Sequence, residues 1–244
     1  MIVLFTDFGL AGPYTGQVQA VLHQVAPDVP VISLFADAPA GQPQPAAYLL
    51  AAYAAWFPAE TVLLCVVDPG VGGARRGLIV EADGRLYVGP DNGLFELVLR
   101  RAASPSAWDI AWRPPVLSAS FHGRDLFAPV AGRLATGEAP SAMARCATPL
   151  RYPDWPDDLA QIVYIDHYGN ALTGLRGDCL PLNASLVAAG HRIGHAETFS
   201  AVPSGTAFWY VNSNGLVEIA VNGGRADLML DLAVGSAIGV ELPP

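Results

Sequence analysis

The chain has 244 residues, 52% of them apolar, and a formal net charge of −9 at pH 7. That length supports one large domain or two smaller ones around a sizeable core. All 13 basic residues are arginines, so a P-loop lysine, a Schiff-base lysine and a Ser-Lys dyad are excluded, and no basic stripe is present to neutralise nucleic acid.

No apolar run approaches the roughly 20 residues needed to cross a bilayer. The opening Met1-Ile-Val-Leu-Phe-Thr-Asp7 lacks the basic stretch of a secretory signal. A soluble cytoplasmic protein with no membrane partner is expected. Cys65, Cys146 and Cys179 are widely spaced in largely apolar settings, which predicts buried reduced thiols and no metal site.

In chain order, Ile2-Val-Leu-Phe5 predicts a strand ending at Thr6-Asp7-Phe8-Gly9, where a carboxylate enters a glycine turn. Pro13 opens a helix with Val18, Val21, Leu22 and Val25 on its buried face, stopped by Pro27 and Pro30. A strand over Val31 to Phe35 precedes an alanine-rich helix from Ala46 to Trp56, closed by Pro58. Thr61-Val-Leu-Leu-Cys-Val-Val67 is apolar throughout, as expected of a strand buried on both faces of a parallel sheet. This alternation predicts an α/β N-terminal domain, Rossmann-like with a mostly parallel sheet, whose right-handed crossovers bring the ends of the first and third strands together.

The third strand ends at Asp68. From there Val67-Asp-Pro-Gly-Val-Gly-Gly-Ala-Arg-Arg-Gly77 turns through glycines to two arginines. Ligands bind at the carboxyl ends of strands in open α/β sheets, so this stretch reads either as a reaction centre or as an Asp-Pro-Gly turn with solvated arginines. Leu78 to Glu81 and Arg85 to Val88 flank Ala82-Asp83-Gly84 as a hairpin. In Gly89-Pro-Asp-Asn-Gly93, Asp91 or Asn92 is placed to cap a helix over Leu94 to Arg101, whose terminal Arg100 and Arg101 suit the helix dipole. After a strand over Trp108 to Trp112, Ser118 to Pro129 brings His122, Arg124 and Asp125 to the mouth of a helix running to about Ala135.

The α/β domain thus covers 1–150, with a Pro-, Ala- and Asp-rich linker from about 138. Over 160–244, short strands at Ile162 to Ile165, Ser185 to Ala188, Ala207 to Val211, Leu216 to Val221 and Ala237 to Glu241 predict a small all-β antiparallel barrel. Three common sites fail. Gly70-Val-Gly72 begins like a dinucleotide fingerprint, but Arg75 takes the third glycine's place. His191 and His195 lack the helix and further ligands that zinc needs, and no Gly-x-Ser-x-Gly elbow exists.

Taken together, Thr6-Asp-Phe-Gly9, Val67-Asp-Pro-Gly-Val-Gly72 followed by Arg75-Arg76-Gly77, Gly89-Pro-Asp-Asn-Gly93, Phe121-His-Gly-Arg-Asp125 and Ile165-Asp-His-Tyr-Gly-Asn170 are similar to motifs of the S-adenosyl-L-methionine hydroxide adenosyltransferase family, hydrolases related to fluorinase and chlorinase. The resemblance spans nearly the whole chain. It implies a catalytic Asp68-Arg75-His122 triad holding water or hydroxide for in-line attack on ribose C5' of S-adenosyl-L-methionine, giving adenosine and L-methionine without cofactor or metal. His122 would accept the proton, Arg75 would favour hydroxide and Asp68 would orient the cluster. It further implies that Asp7 binds the ribose hydroxyls, Asp166 the methionine amino group, Asn170 and Tyr168 the adenine, and Ser213 the methionine carboxylate, with Tyr14 and Phe121 also at the substrate. A homotrimer with sites at subunit interfaces is implied too. Gly12, Gly73 and Asp37 depart from the family pattern at fine substrate contacts. A halogenase of the same superfamily and a non-catalytic nucleoside or S-adenosylmethionine binder are the other readings. Arg75 and His122 favour hydrolysis, because such halogenases lack both.

Overall fold

The structure, a computed structural model, describes residues 1–242, so the last two residues of the 160–244 stretch lie outside it. Contacts divide the chain after Tyr152 into two compact units. In the first unit the elements are β1 (Ile2–Thr6), α1 (Tyr14–Val25), β2 (Val31–Phe35), α2 (Pro43–Ala54) and β3 (Val62–Val66), then β4 (Gly77–Ala82), β5 (Arg85–Pro90), α3 (Glu96–Arg101), β6 (Ser106–Ile110), α4 (Ala128–Ala135) and β7 (Ala144–Cys146).

Seven strands form one sheet in the order β2-β1-β3-β5-β4-β6-β7. β1 pairs in parallel with β2 and β3, and β3 with β5, whereas β4 runs antiparallel to β5 and β6, and β6 to β7. The sheet is therefore mixed, not mostly parallel. The cause is the 78–88 hairpin, which inserts side by side into the sheet, so that strand direction alternates from β5 through β4 and β6 to β7. β7 lies within the Pro- and Ala-rich stretch from 138, so that stretch contributes an edge strand before the chain leaves the first unit.

Pleating divides the apolar residues between two faces. Ile2, Leu4, Val62, Leu64 and Val66 pack with Val18 and Leu22 of α1 and Val130 and Leu134 of α4. Val3, Phe5, Leu63 and Cys65 alternate with them and are equally buried, which is why both strands read as unbroken apolar runs. β1 and β3 are immediate neighbours with Thr6 opposite Val66, so Asp7 and Asp68 leave the sheet together, as the crossover rule requires.

The second unit holds β8 (Leu159–Ile165), β9 (Ala171–Arg176), β10 (Ser185–Ala188), β11 (His191–Ile193), β12 (Ala207–Val211), β13 (Leu216–Val221), α5 (Ala226–Met229) and β14 (Ile238–Glu241). Its strands form a four-stranded antiparallel sheet, β12-β13-β9-β8, and a three-stranded one, β11-β10-β14. Single bridges join Gln161 to Ala237 and His195 to Trp209. Ile162, Leu186, Trp209 and Ile219 are central to its core.

Cys65 is buried, but Cys146 and Cys179 are exposed, against the expectation of three buried thiols. Cys146 ends an edge strand beside Arg145, and Cys179 lies in a short helical turn after Asp178. No helix among the described residues is long and apolar enough to cross a membrane.

Candidate functional site

Asp68 sits two residues beyond the end of β3. The loop that follows folds back so that Arg75 meets it twice: Nε donates to Oδ1 at 2.9 Å and Nη2 donates to Oδ2. The pair is nearly dry, with side chains 10% and 4% exposed. Nη2 also contacts His122 Nδ1 at 2.9 Å, and the guanidinium lies 5.1 Å from the Phe127 ring. Asp68, Arg75 and His122 thus form one continuous cluster from two distant loops.

Local backbone geometry makes this meeting possible. Gly72 has φ +78°, and a Cβ there would fall 2.3 Å from the Ala119 carbonyl oxygen, so only glycine lets the Asp68 loop touch the His122 loop. His122 is followed by a π-helical turn, Gly123–Phe127, before α4 begins. Such wide turns re-aim side chains, and they concentrate at functional sites. Asp125 closes the loop by accepting from the Ser118 backbone N–H at 2.9 Å while paired with Arg124, which lies over Phe121.

A cavity of about 140 Å³ opens among Asp7, Phe8, Asp68, Phe121 and His122. Arg75 does not line it and stands behind the other two members of the cluster. Phe8, Tyr14 and Phe121 meet edge to face or tilted, with centroids 5.5–6.2 Å apart. Asp7 accepts from the Gly41 N–H at 2.8 Å, yet burial raises its pKa, with a smaller contribution from Asp68. A larger opening of about 590 Å³ lies around Met1, Glu60 and Glu81 and holds none of these groups.

The His122 contact fixes its chemistry. An arginine N–H can only donate, so Nδ1 is the acceptor and the neutral ring carries its proton on Nε2. Burial lowers the His122 pKa, and the Arg75 charge lowers it further. With Nδ1 engaged by Arg75, the neutral His122 ring has its Nε2–H left to donate. The sign is definite. With its folded pKa below the ordinary 6.5, the cluster is complete above that value and is lost as pH falls through the lowered one. A ring-nitrogen NMR titration is expected to show the Nε2–H tautomer at neutral pH; a titration midpoint above 6.5 would contradict it.

In the second unit, Asp166 accepts from the Asn170 backbone N–H at 2.8 Å and side-chain amide at 3.0 Å across the Gly169 turn. Both residues and Tyr168 line a cavity of about 560 Å³ with Phe199, Tyr210 and Glu218. Glu218 escaped the sequence analysis. Its signal was a single charge inside the apolar run of β13, and all six residues of that strand are buried. Its carboxylate accepts from the Tyr210 hydroxyl at 2.5 Å and the Asn212 amide at 2.8 Å, has no cationic partner among the described residues, and has its pKa raised by burial and then by Asp166. Ser213 lies outside that cavity lining, on a turn shaped by Asn212, whose Oδ1 accepts from the Asn214 and Leu216 N–H groups. Among the described residues, no group of three or more His, Cys, Asp or Glu side chains is placed to hold a metal ion.

An α/β sheet with a carboxylate–guanidinium–imidazole cluster at its strand ends, followed by a unit of antiparallel sheets with a cavity of its own, defines a two-unit α/β-plus-β class. Residues 2–144 match the SAM hydroxide adenosyltransferase N-terminal domain and residues 160–239 match the C-terminal domain; the chain belongs to that family. It is 39% identical over 254 residues to the (R)-S-adenosyl-L-methionine hydrolase of Salinispora arenicola, covering 96% of this chain and 95% of that protein. The protein of the same name from Thermus thermophilus is 38% identical over 257 residues, covering 97% and 98%. Among solved structures, an uncharacterized conserved protein from Thermotoga maritima superposes with a TM-score of 0.90 at 26% identity, over 99% of this chain and 100% of that one.

Proposed function

We propose that this enzyme hydrolyses S-adenosyl-L-methionine to adenosine and L-methionine, and that the epimer with R configuration at sulfur is preferred, following the names of its relatives. The observation that carries the reading is the Asp68-Arg75-His122 cluster beside a small cavity at the strand ends. A water held there has Asp68 as acceptor and His122 Nε2–H as donor, leaving a lone pair for C5'. The C5'–O bond forms as the C5'–S bond breaks, and the electron pair goes to sulfur, leaving a neutral thioether. One proton per turnover passes by way of Asp68 to solvent. The sulfonium is already a good leaving group, so the protein's task is orientation, which contributes roughly 7–11 kcal/mol in favourable cases.

Asp7 is assigned to the ribose hydroxyls, an acceptor-only group facing two donors. Tyr14 and Phe121 are assigned to the substrate's path into the cavity, Asp166 to the amino group, Asn170 and Tyr168 to adenine, and Ser213 to the carboxylate. Glu218 adds a second negative charge to the Asp166 cavity and favours a cationic substrate over its less charged products. Glu218→Gln removes the charge while both hydrogen bonds persist, because the Tyr210 hydroxyl can turn from donor to acceptor. The KM for S-adenosylmethionine is expected to rise about tenfold, on the order of 1.4 kcal/mol, from the loss of one negative charge facing the cationic substrate. Inhibition by adenosine should not change; equal weakening of both would contradict the charge reading.

The second unit is read as a closed barrel, its two sheets joined through the two single bridges. We further assign the protein to the cytoplasm, on the character of its opening residues, and to a homotrimer, on the family resemblance. Incubation with S-adenosylmethionine and added chloride or fluoride tests the main reading against the halogenase: adenosine and methionine are expected, and a 5'-halo nucleoside would overturn it.

A further inference from the structure

The Asp68–Arg75 loop is gripped at both ends by the Gly89–Gly93 segment, where β5 ends. At its entry, the Asn92 side-chain amide donates to the Val67 carbonyl at 2.8 Å, one residue before Asp68. The other end of the Asn92 amide accepts from the Leu94 N–H at 3.3 Å, which fixes its orientation. At the exit, one residue after Arg75, Arg76 donates through Nε and Nη2 to Asp91 Oδ2 at 2.9 and 2.5 Å. The backbone repeats the grip, since the Asp91 N–H donates to the Arg76 carbonyl at 3.0 Å.

The turn is itself anchored. Asp91 is 3% exposed and its Oδ1 accepts from the Leu150 N–H at 2.9 Å, while Arg76 reaches on to the Thr148 carbonyl at 2.8 Å. Gly89 lies so close to β3 that a Cβ would stand 2.1 Å from the Cys65 carbonyl oxygen. Helix capping alone does not explain these contacts, because α3 starts at Glu96 and receives no side-chain cap.

We infer that Asp91 and Asn92 are positioning residues that hold the two ends of the loop in register, so that the Arg75 fork reaches both Asp68 and His122. This rests on the hydrolase reading for its kinetic consequence only. A loop fixed at 67 and 76 has its ends set by hydrogen bonds to one rigid turn, and small displacements of reacting groups are costly in rate.

Asn92→Ala removes the entry grip without touching either cavity. The kcat is expected to fall about tenfold with KM unchanged, and the same substitution made in Arg75→Ala should lower single-turnover rate no further, because the brace acts through Arg75. Without substrate, the His122 ring should titrate at higher pH in Asn92→Ala, since the guanidinium no longer sits against Nδ1. If Asn92→Ala does not fold, the isosteric Asp91→Asn carries both measurements at the exit. Wild-type kcat and an unmoved His122 titration, or equal losses with and without Arg75, would overturn the inference. Absence of adenosine from the wild-type protein would instead refute the hydrolase reading and leave the His122 titration to decide the brace.

Discussion

Arg75→Ala is expected to lower kcat by about 10²–10³-fold, the range for removing a preorganised charged or hydrogen-bonding group from a reaction centre. The residue holds Asp68 with two hydrogen bonds and sets the tautomer of His122 with a third contact. Its loss frees both cavity-lining partners at once, although Arg75 itself stands behind the cavity wall. KM should move little, because Arg75 does not line the cavity. Stability should fall as well. Breaking a buried ion pair from one side costs about 3–5 kcal/mol, and the 10% exposure of Arg75 puts the expectation at the lower end. Arg75→Lys should recover stability better than rate, since an ammonium cannot fork between Asp68 and His122. Equal kcat in wild type and Arg75→Ala would remove the cluster from the mechanism.

Gly72→Ala should be nearly as damaging, for a reason that involves no charge. The new methyl would stand 2.3 Å from the Ala119 carbonyl oxygen on a backbone already at φ +78°. The unfavourable φ alone costs about 1–3 kcal/mol. Relief of the clash must part the loop carrying Arg75 from the loop carrying His122. A misplacement near 1 Å is enough for about a 10²-fold loss in rate. Gly16→Ala is the control: the position is within α1, nothing lies within 4 Å of its Cβ, and a gain of about 0.5–1 kcal/mol is expected. Thermal melting and kcat, measured on both variants, separate the two. If Gly72→Ala melts and turns over like wild type, the close approach of the loops is unimportant.

Both carboxylates of the first cavity were legible in the sequence because each ends an apolar strand, and the crossover rule places those strands side by side. The hairpin at 78–88 was legible as a hairpin, but its insertion into the sheet was not, since pairing partners are set by long-range packing. β9 was missed. Its Gly174 weakens the strand signal, yet a Cβ there would sit 2.6 Å from that of Leu159, so the glycine is what lets the start of β8 pair so closely with β9. The π-helical turn after His122 leaves no mark in residue types, because it depends on a shift of backbone register. Asn92 read as a helix cap, while its amide reaches back to Val67, 25 residues earlier. The Nε2–H tautomer of His122 could not be read from residue types, because it follows from the Arg75 contact, which spans 47 residues.

The most direct test of the proposed reaction is turnover of S-adenosylmethionine in water enriched in ¹⁸O. The account predicts adenosine with one labelled atom at the 5'-hydroxyl, unlabelled methionine and one proton released per turnover. Adenosine without label, or label in methionine, would show that water does not attack C5' and would contradict it.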